Sequence, residues 1–257
     1  MQFLKILLIT SILSLFACNG DEPKIPQEKT ITEQKGLQKR ISQTQQILLS
    51  VSDSLNAQSG RLYLYDKMPK KWSMREGFFK VNYGKNGLAW GLGLHEQQEG
   101  IQKVEGDGRS PAGIFEIGTA FGYDKKPKNC KTNYLQIDKN TQCIEDVRSK
   151  SYNRIVDNEV VLSDWNSTDL MQRKDDLFKY GFFVNHNMEQ IPGKGSCIFL
   201  HLWKSEKSPT AGCTAFSEEN MLTVINWLDF WRKPLLIQMP LKNYIELREK
   251  YDLPNLK

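Results

Sequence analysis

The stretch Arg61-Leu62-Tyr63-Leu64-Tyr65 alternates leucine with residues that carry a polar tip, and it sets the pattern for most of the chain. Alternation continues over residues 77–83 and 88–94, and Gly84-Lys85-Asn86-Gly87 separates these two runs. Period-two alternation is typical of half-buried strands, and Asn-Gly between two such runs predicts a hairpin. Further strands are predicted at residues 113–118, 181–187, 196–203 and 235–239. We therefore predict a mainly β fold.

Three segments have helical spacing instead. An amphipathic helix is predicted over residues 30–59, where apolar residues recur at intervals of three, four or seven. Ser217 is a good N-cap for a second helix, and residues 241–251 form a third. The apolar stripe of the first helix is Leu37, Ile41, Leu48, Val51 and Leu55, and that of the second is Met221, Val224, Ile225, Leu228 and Trp231. Residues 60–257 then form one globular domain with a few helices packed around its strands.

The first seventeen residues predict export. Lys5 precedes an apolar run over residues 6–16, which is too short to span a bilayer because a spanning helix needs about 20 residues. Leu15-Phe16-Ala17-Cys18 resembles the bacterial lipobox, so residues 1–17 are predicted to be a lipoprotein signal peptide and Cys18 the site of lipidation. Residues 18–29 are polar and contain two prolines, which predicts a flexible tether. We expect a membrane-anchored, extracytoplasmic protein facing the periplasm or on the outer membrane.

The charge distribution and the cysteine spacing disfavour several classes of partner and cofactor. The net charge of +5 is spread along the chain, and this distribution disfavours nucleic acid as a partner. Cysteine spacing matches neither zinc knuckles nor a Cys-x-x-Cys dithiol, so no metal or other cofactor is expected. Cys130 and Cys143 flank a short polar stretch and are candidates for a disulfide. Cys197 lies in an apolar strand, where a free thiol behaves as a small buried hydrophobe.

Cys213 differs from the other cysteines because its neighbours favour a reactive thiolate. In residues 196–203, alternation places Ile198, Leu200 and Leu202 on one face and Cys197, Phe199, His201 and Trp203 on the other. Cys213 follows in a loop that leads toward the Ser217 helix, and a histidine together with a helix N-terminus lowers the pKa of a thiol. Backbone amides near Gly212 are candidates to bind an oxyanion. From the residues alone, Cys213 as buried filler and His201 as a satisfied core histidine remain equally open.

Two motifs carry a resemblance that favours the catalytic interpretation. His201 followed by Thr210-Ala211-Gly212-Cys213, together with residues 106–115 upstream, resembles the bacterial L,D-transpeptidase catalytic-domain family. The resemblance implies a β-sandwich, a Cys213 nucleophile, His201 as its base and peptidoglycan stem peptides as substrate. Gly212, Thr214 and Arg109 are assigned to oxyanion or substrate binding, although turns explain the residues around Arg109 equally well. We expect a monomer.

The chain also departs from the family pattern. Ala211 stands where many members have a second histidine, and Thr214-Ala215 replace an apolar residue and arginine. The acyl acceptor is therefore open: an amine would give transpeptidation, whereas water would give L,D-carboxypeptidation. A non-catalytic peptidoglycan-binding lipoprotein and a thiol-redox protein are the alternatives from other classes. Of the remaining histidines, His186 either lines the site or is packed in the core, and His95 is predicted to lie in a surface loop.

Overall fold

The computed structural model describes residues 36–75 and 77–256. The predicted signal peptide, Cys18 and the tether lie outside these residues. In the described part of the chain, strands greatly outnumber helices, which confirms the mainly β prediction. The strands are β1 (Gln46–Ser52), β2 (Ser59–Met68), β3 (Lys71–Met74), β4 (Phe79–Asn82), β5 (Leu88–Trp90), β6 (Ser110–Gly122), β7 (Tyr134–Gln136), β8 (Thr141–Ile144), β9 (Ile155–Asp157), β10 (Thr168–Leu170), β11 (Tyr180–Val184), β12 (Phe199–Leu202), β13 (Thr214–Phe216) and β14 (Leu235–Pro240).

The strands form a large sheet of eleven and a small sheet of three. The main path of the large sheet runs β1-β14-β6-β11-β12-β13-β4-β2-β3, and an additional β1–β2 pairing closes eight of these strands into a ring. The small sheet, in the order β10-β8-β9, comes from the segment between β7 and β11. The layers expected of a sandwich therefore belong largely to one sheet that closes on itself.

The helices are short and pack on this sheet. Helix α1 covers residues 36–43, α2 is Glu218–Trp227 and α3 is Leu241–Tyr251. The side chain of Ser217 caps α2 as predicted, accepting the N–H of Asn220 at 3.2 Å. None of the described helices is long and apolar enough to cross a membrane.

The helix predicted over residues 30–59 is wrong beyond residue 43. Residues of β1 are all buried, and β1 pairs in parallel with β14 and antiparallel with β2. Because every residue of β1 is buried, both of its faces are covered, and such a strand reads as a continuous apolar run, which Ile47-Leu48-Leu49 supplies. The sheet therefore begins before residue 60, at Gln46.

Two smaller predictions also need correction. The Asn86-Gly87 turn forms, with the Gly87 N–H donating to the Gly84 carbonyl at 2.7 Å, but its flanking strands separate. Strand β4 pairs with β2 and β13, whereas β5 pairs with β6, so the predicted hairpin ladder is absent from the described residues. Trp231 does not continue the apolar face of α2, because α2 ends at Trp227 and Trp231 is 84% exposed in a 3-10 turn (Phe230–Arg232).

Alternation along β12 separates two clusters of buried side chains. Ile198, Leu200 and Leu202 join the main core inside the ring. Cys197 and Phe199 join a second cluster, which lies between β11, β12 and the small sheet. The predicted division into two faces is confirmed for residues 197–202 but is wrong at Trp203, which packs against the main core. The second cluster lies beside Cys213.

Candidate active site

Cys213 and His201 lie on the same face of two adjacent parallel strands. Leu200 lies opposite Thr214, and His201 lies opposite Ala215. Cys213 is therefore opposite Phe199, two residues from the level of His201. Given a rise of about 3.3 Å per residue and a strand spacing of about 4.8 Å, their Cα atoms are roughly 8 Å apart, which allows their side chains to approach. The structure thus brings the two predicted catalytic residues to one face.

The backbone of Cys213 is held by two hydroxyl groups. Ser110 Oγ and Thr210 Oγ1 donate to the Cys213 carbonyl at 2.5 and 2.6 Å. Thr210 Oγ1 also accepts the Gly212 N–H at 3.1 Å, so this amide is occupied in the resting structure. Ser110 lies within the upstream motif, but sequence reasoning gave it no role. Its hydrogen bond to the Cys213 carbonyl connects the upstream motif directly to the Cys213 loop.

The sulfur atom of Cys213 is buried, although the residue as a whole is half-buried. It accepts the Phe199 N–H at 3.3 Å and points its own proton toward the Cys197 carbonyl, 3.6 Å away. Burial raises the pKa of the thiol to about 12; the Phe199 N–H opposes this rise, and the carboxylates of Asp169 and Glu145 add to it. The resting side chain is a neutral thiol.

The prediction that a helix N-terminus lowers the pKa of Cys213 is wrong. Strand β13 separates Cys213 from α2, which begins at Glu218, and Ser217 already caps this helix. Because the field of a helix end acts mainly within its first turn, it does not favour the thiolate here.

His201 is built to accept a proton at one defined atom. Its side chain is buried, and Nδ1 lies 2.7 Å from the Leu202 carbonyl oxygen. A carbonyl only accepts, so Nδ1 carries the proton and Nε2 keeps its lone pair. Burial lowers the pKa of His201 to about 4, and the bond to Leu202 opposes that shift. The imidazole is therefore a neutral base at neutral pH.

Aromatic rings fix the plane of this imidazole. The ring of Phe178 meets His201 edge-on, with centroids 5.2 Å apart, and meets Phe199 at the same distance. Within the described residues, no hydrogen bond joins His201 to Cys213. Catalytic hydrogen bonds are often absent from structures without substrate, so this geometry is compatible with a role of His201 as base.

Two carboxyl groups at the small sheet, Glu145 and Asp169, lie near enough to raise the pKa of Cys213, and no sequence motif marked them. The pKa of Glu145 is raised to about 7, first by burial and then by the charges of Asp169 and Glu105. Asp169, which is paired with Arg173 at 3.4 Å, also has a raised pKa because of burial. These residues are distant in sequence from Cys213, and β8 and β10 bring them together.

The predicted Cys130–Cys143 disulfide is wrong, and so is the free Cys197. Cys143 is bonded to Cys197, with Cα atoms 5.8 Å apart, whereas Cys130 is a free buried thiol. Cys130 points into the main core and Cys143 into the second cluster, so these two cannot meet. The disulfide ties β8 to the residue whose carbonyl faces the Cys213 thiol.

Cys197 is held in an unusual backbone conformation as well. Its φ is +53°, and its N–H donates to Asn153 Oδ1 at 3.0 Å. Asn153 is buried and donates to the carbonyls of His186 and Asn187. This network and the disulfide fix the carbonyl that the thiol contacts.

Two residues assigned to substrate binding are engaged elsewhere. Arg109 directs its guanidinium to the carbonyls of Leu55 and Leu88 and to the side chain of Asn56. Thr214 is 2% exposed and donates to Gln238 Oε1 at 2.9 Å. Arg109 therefore ties the loop between β1 and β2 to β5, and Thr214 is a buried link between β13 and β14. The assignment of Thr214 to substrate contact is wrong because its side chain is inside the core.

The other histidines have structural roles. His186 is fully buried, accepts the Leu92 N–H at Nδ1 and bonds the Lys194 carbonyl through Nε2. The packed interpretation of His186 is thus the correct one. His95 is not a free surface residue: it accepts the Ile114 N–H at 3.1 Å and packs on Trp90 and Phe115. Burial lowers the pKa of both to about 4.

One comparison with known proteins identifies a family. The L,D-transpeptidase catalytic domain family (YkuD) matches residues 54–237. No curated protein sequence matches the chain. Among solved structures, the helical cell shape determining protein Pgp2 from Campylobacter jejuni aligns with a TM-score of 0.35 and 15% identity, covering 80% of this chain and 54% of that one. The chain thus spans about half the length of that protein.

The family match includes both motifs, the β12–β13 pair and most of the ring of strands. We conclude that the chain belongs to the L,D-transpeptidase catalytic-domain family, whose members modify peptidoglycan.

Proposed function

We propose that this protein is an exported, lipid-anchored L,D-transpeptidase that uses Cys213 as nucleophile and His201 as general base on peptidoglycan stem peptides. The observation that carries the proposal is the pairing of a neutral thiol with a neutral imidazole whose free lone pair is on Nε2. Both side chains occupy one face of β12 and β13. The export signal and the lipid on Cys18 rest on the first eighteen residues of the sequence.

The first half-reaction forms a thioester. His201 Nε2 takes the Cys213 proton as the sulfur attacks the carbonyl between the L-centre of a diamino acid and a terminal D-alanine. The C–N bond then breaks, and the imidazolium returns the proton to the leaving amine of D-alanine. Coupling proton transfer to attack suits this site because the raised pKa of Cys213 disfavours a resting thiolate.

The second half-reaction transfers the acyl group. An amine of a neighbouring stem peptide attacks the thioester, gives its proton to His201 Nε2 and displaces the Cys213 thiolate, which His201 reprotonates. Water in place of the amine gives L,D-carboxypeptidation by the same steps. We propose the amine as acceptor, since the family is one of transpeptidases.

Intact mass spectrometry tests the proposal. The purified protein is incubated with a tetrapeptide stem, and the adduct mass and released D-alanine are measured. We expect one acyl adduct in the wild type and none in Cys213→Ala. Cys130→Ala is the matched control, because Cys130 is the other free cysteine in the described chain and lies in the main core.

Two outcomes contradict the proposal. An adduct that persists in Cys213→Ala would remove this residue as the nucleophile. A folded wild type that forms no adduct and releases no D-alanine would favour the non-catalytic peptidoglycan-binding alternative.

A further inference from the structure

A cavity of about 900 Å³ is lined by residues of β6 and β11 and by Phe230 and Trp231, and neither Cys213 nor His201 is among its lining residues. Its floor includes Ile117, Gly118 and Thr119 of β6, and Phe183 of β11 lies at its inner end. Phe183 pairs with Phe199, which is opposite Cys213. Because strands are spaced about 4.8 Å apart, this inner end is roughly 10 Å from the nucleophile.

The outer rim of the cavity presents two aromatic rings to solvent. Trp231 is 84% exposed and Phe230 is 46% exposed, and the other five tryptophans are buried or half-buried. The turn that carries them is well fixed: Asp229 caps the Trp231 N–H at 3.0 Å, and the Arg232 carbonyl accepts the Gln45 N–H at 2.8 Å. A rigid, exposed indole face is suited to stacking on a flat ligand.

The lining of the cavity also includes polar groups that are free to bind. Thr119 and Asn133 make no side-chain hydrogen bond within the described residues, and Asn185 uses only its Nδ2, toward Glu116. Asn185 Oδ1 lies over Gly118, where a Cβ would meet it at 2.6 Å, so glycine keeps this amide on the cavity floor. Neutral donors and acceptors between apolar surfaces match hydroxyl and acetamido groups.

The charged groups at the cavity are mostly engaged with the protein. Arg154 donates to Gln190 and Lys233 to Gln43, and Arg40 pairs with Glu116. Since the first two partners are neutral, the rim keeps a positive charge, which is compatible with the carboxylates of an attached peptide. Most of the lining groups that are not already bonded to the protein are nevertheless aromatic rings and side-chain amides.

We propose that this cavity binds the N-acetylated amino-sugar strand to which the stem peptide is attached. The inference rests on the proposed function and adds a second substrate site to it. Three residues separate the attacked carbonyl from the sugar, and an extended chain spans at most about 3.3–3.6 Å per residue, or roughly 10 Å. That reach is comparable to the separation of roughly 10 Å between the backbone positions of Cys213 and Phe183, so one substrate molecule spans both sites.

Titration calorimetry of the full chain in detergent tests the inference, with chitohexaose as a sugar probe that carries no peptide. We expect saturable binding to the wild type and binding at least about fivefold weaker in Trp231→Ala. Phe78→Ala is the matched control, because Phe78 is 49% exposed and is not among the residues that line the cavity. No saturable binding, or a smaller loss in Trp231→Ala, would overturn the proposal, as would an equal loss in the control.

A second readout separates this inference from the proposed enzyme activity. Trp231→Ala should form the Cys213 thioester with a free tetrapeptide at the wild-type rate and lose rate only on the sugar-linked tetrapeptide. Slower reaction with the free tetrapeptide would show that the cavity binds the peptide instead and would overturn the sugar assignment. A wild type that binds chitohexaose through Trp231 but never forms a thioester would refute the enzyme proposal alone.

Discussion

The two faces of strand β12 contribute to different properties of the molecule, one to core packing and the other to the candidate active site. The inner face, with Ile198, Leu200 and Leu202, packs only against the apolar core of the ring. The outer face carries Cys197 and His201 beside the Cys213 thiol, a disulfide and several carboxyl groups with shifted pKa values. One strand thus provides both packing and chemistry, separated by the period-two geometry of its backbone.

The difference teaches that burial has opposite consequences on the two faces. On the inner face, burial of apolar groups stabilises the fold. On the outer face, burial shifts protonation equilibria, so that His201 is kept neutral and Cys213 is kept protonated. Substitutions on the two faces should therefore affect stability and rate separately.

The largest expected effect is on rate, from His201→Gln. Loss of the general base should slow thioester formation on Cys213 by about 10²–10⁴-fold while the protein stays folded. His186→Gln is the matched control, because His186 is equally buried and its pKa is also lowered to about 4, yet its ring bonds only the backbone of Leu92 and Lys194. Equal rate losses in the two folded variants would remove the distinction between them.

The next largest effect is on stability, from opening the disulfide. Cys143 and Cys197 are 54 residues apart, and closing a loop of that length stabilises a fold by about 4 kcal/mol in the chain-entropy model. We expect Cys143→Ser/Cys197→Ser to lose about this much free energy of unfolding in denaturant titration. A loss below about 1 kcal/mol would show that the small sheet holds its place without the bond.

On the inner face, Leu200→Ala should affect stability but not chemistry. Leu200 is 1% exposed, and truncating such a side chain costs about 2–5 kcal/mol. The thioester rate per folded molecule should stay at the wild-type value, measured alongside the folded fraction from circular dichroism. A rate loss in the folded fraction would mean that packing and chemistry on β12 are not separable.

The smallest effect is expected from Glu145→Gln. Removing this carboxyl group removes one cause of the raised pKa of Cys213, so alkylation of Cys213 by iodoacetamide near pH 8 should become about threefold faster. Glu159→Gln, at an exposed position after β9, should leave the rate unchanged. Slower alkylation in Glu145→Gln would contradict the assigned direction of the electrostatic effect.

What the sequence could predict depended on how local the determinant was. Alternation over residues 197–202 fixes the two faces of β12, and the Ser217 cap fixes the start of α2, because neighbours in sequence decide both. Cys213 and His201 were selected through the family resemblance, and the fold places both on one face. The mainly β class followed from repeated alternation along the chain.

Features that depend on distant partners were not predictable in this way. The partner of Cys143 depends on how the small sheet packs over β12, and β1 is a strand because β14 and β2 flank it. The apolar spacing near residue 48 matched a helix, but pairing with β14 and β2 makes this segment a strand. The carboxyl groups of Glu145 and Asp169 reach Cys213 only through the fold, so they carry no motif that marks them.

The pH dependence of thioester formation on Cys213 tests the central claim most directly. A neutral His201 with a pKa of about 4 is a base above that pH and loses its lone pair below it. We therefore expect the rate with a tetrapeptide stem to persist from pH 7 to pH 5 and to fall with a midpoint near pH 4, a step that His201→Gln abolishes. A rate that rises about tenfold per pH unit from 7 to 9, and is unchanged by His201→Gln, would show that a free thiolate attacks without this histidine and would contradict the account.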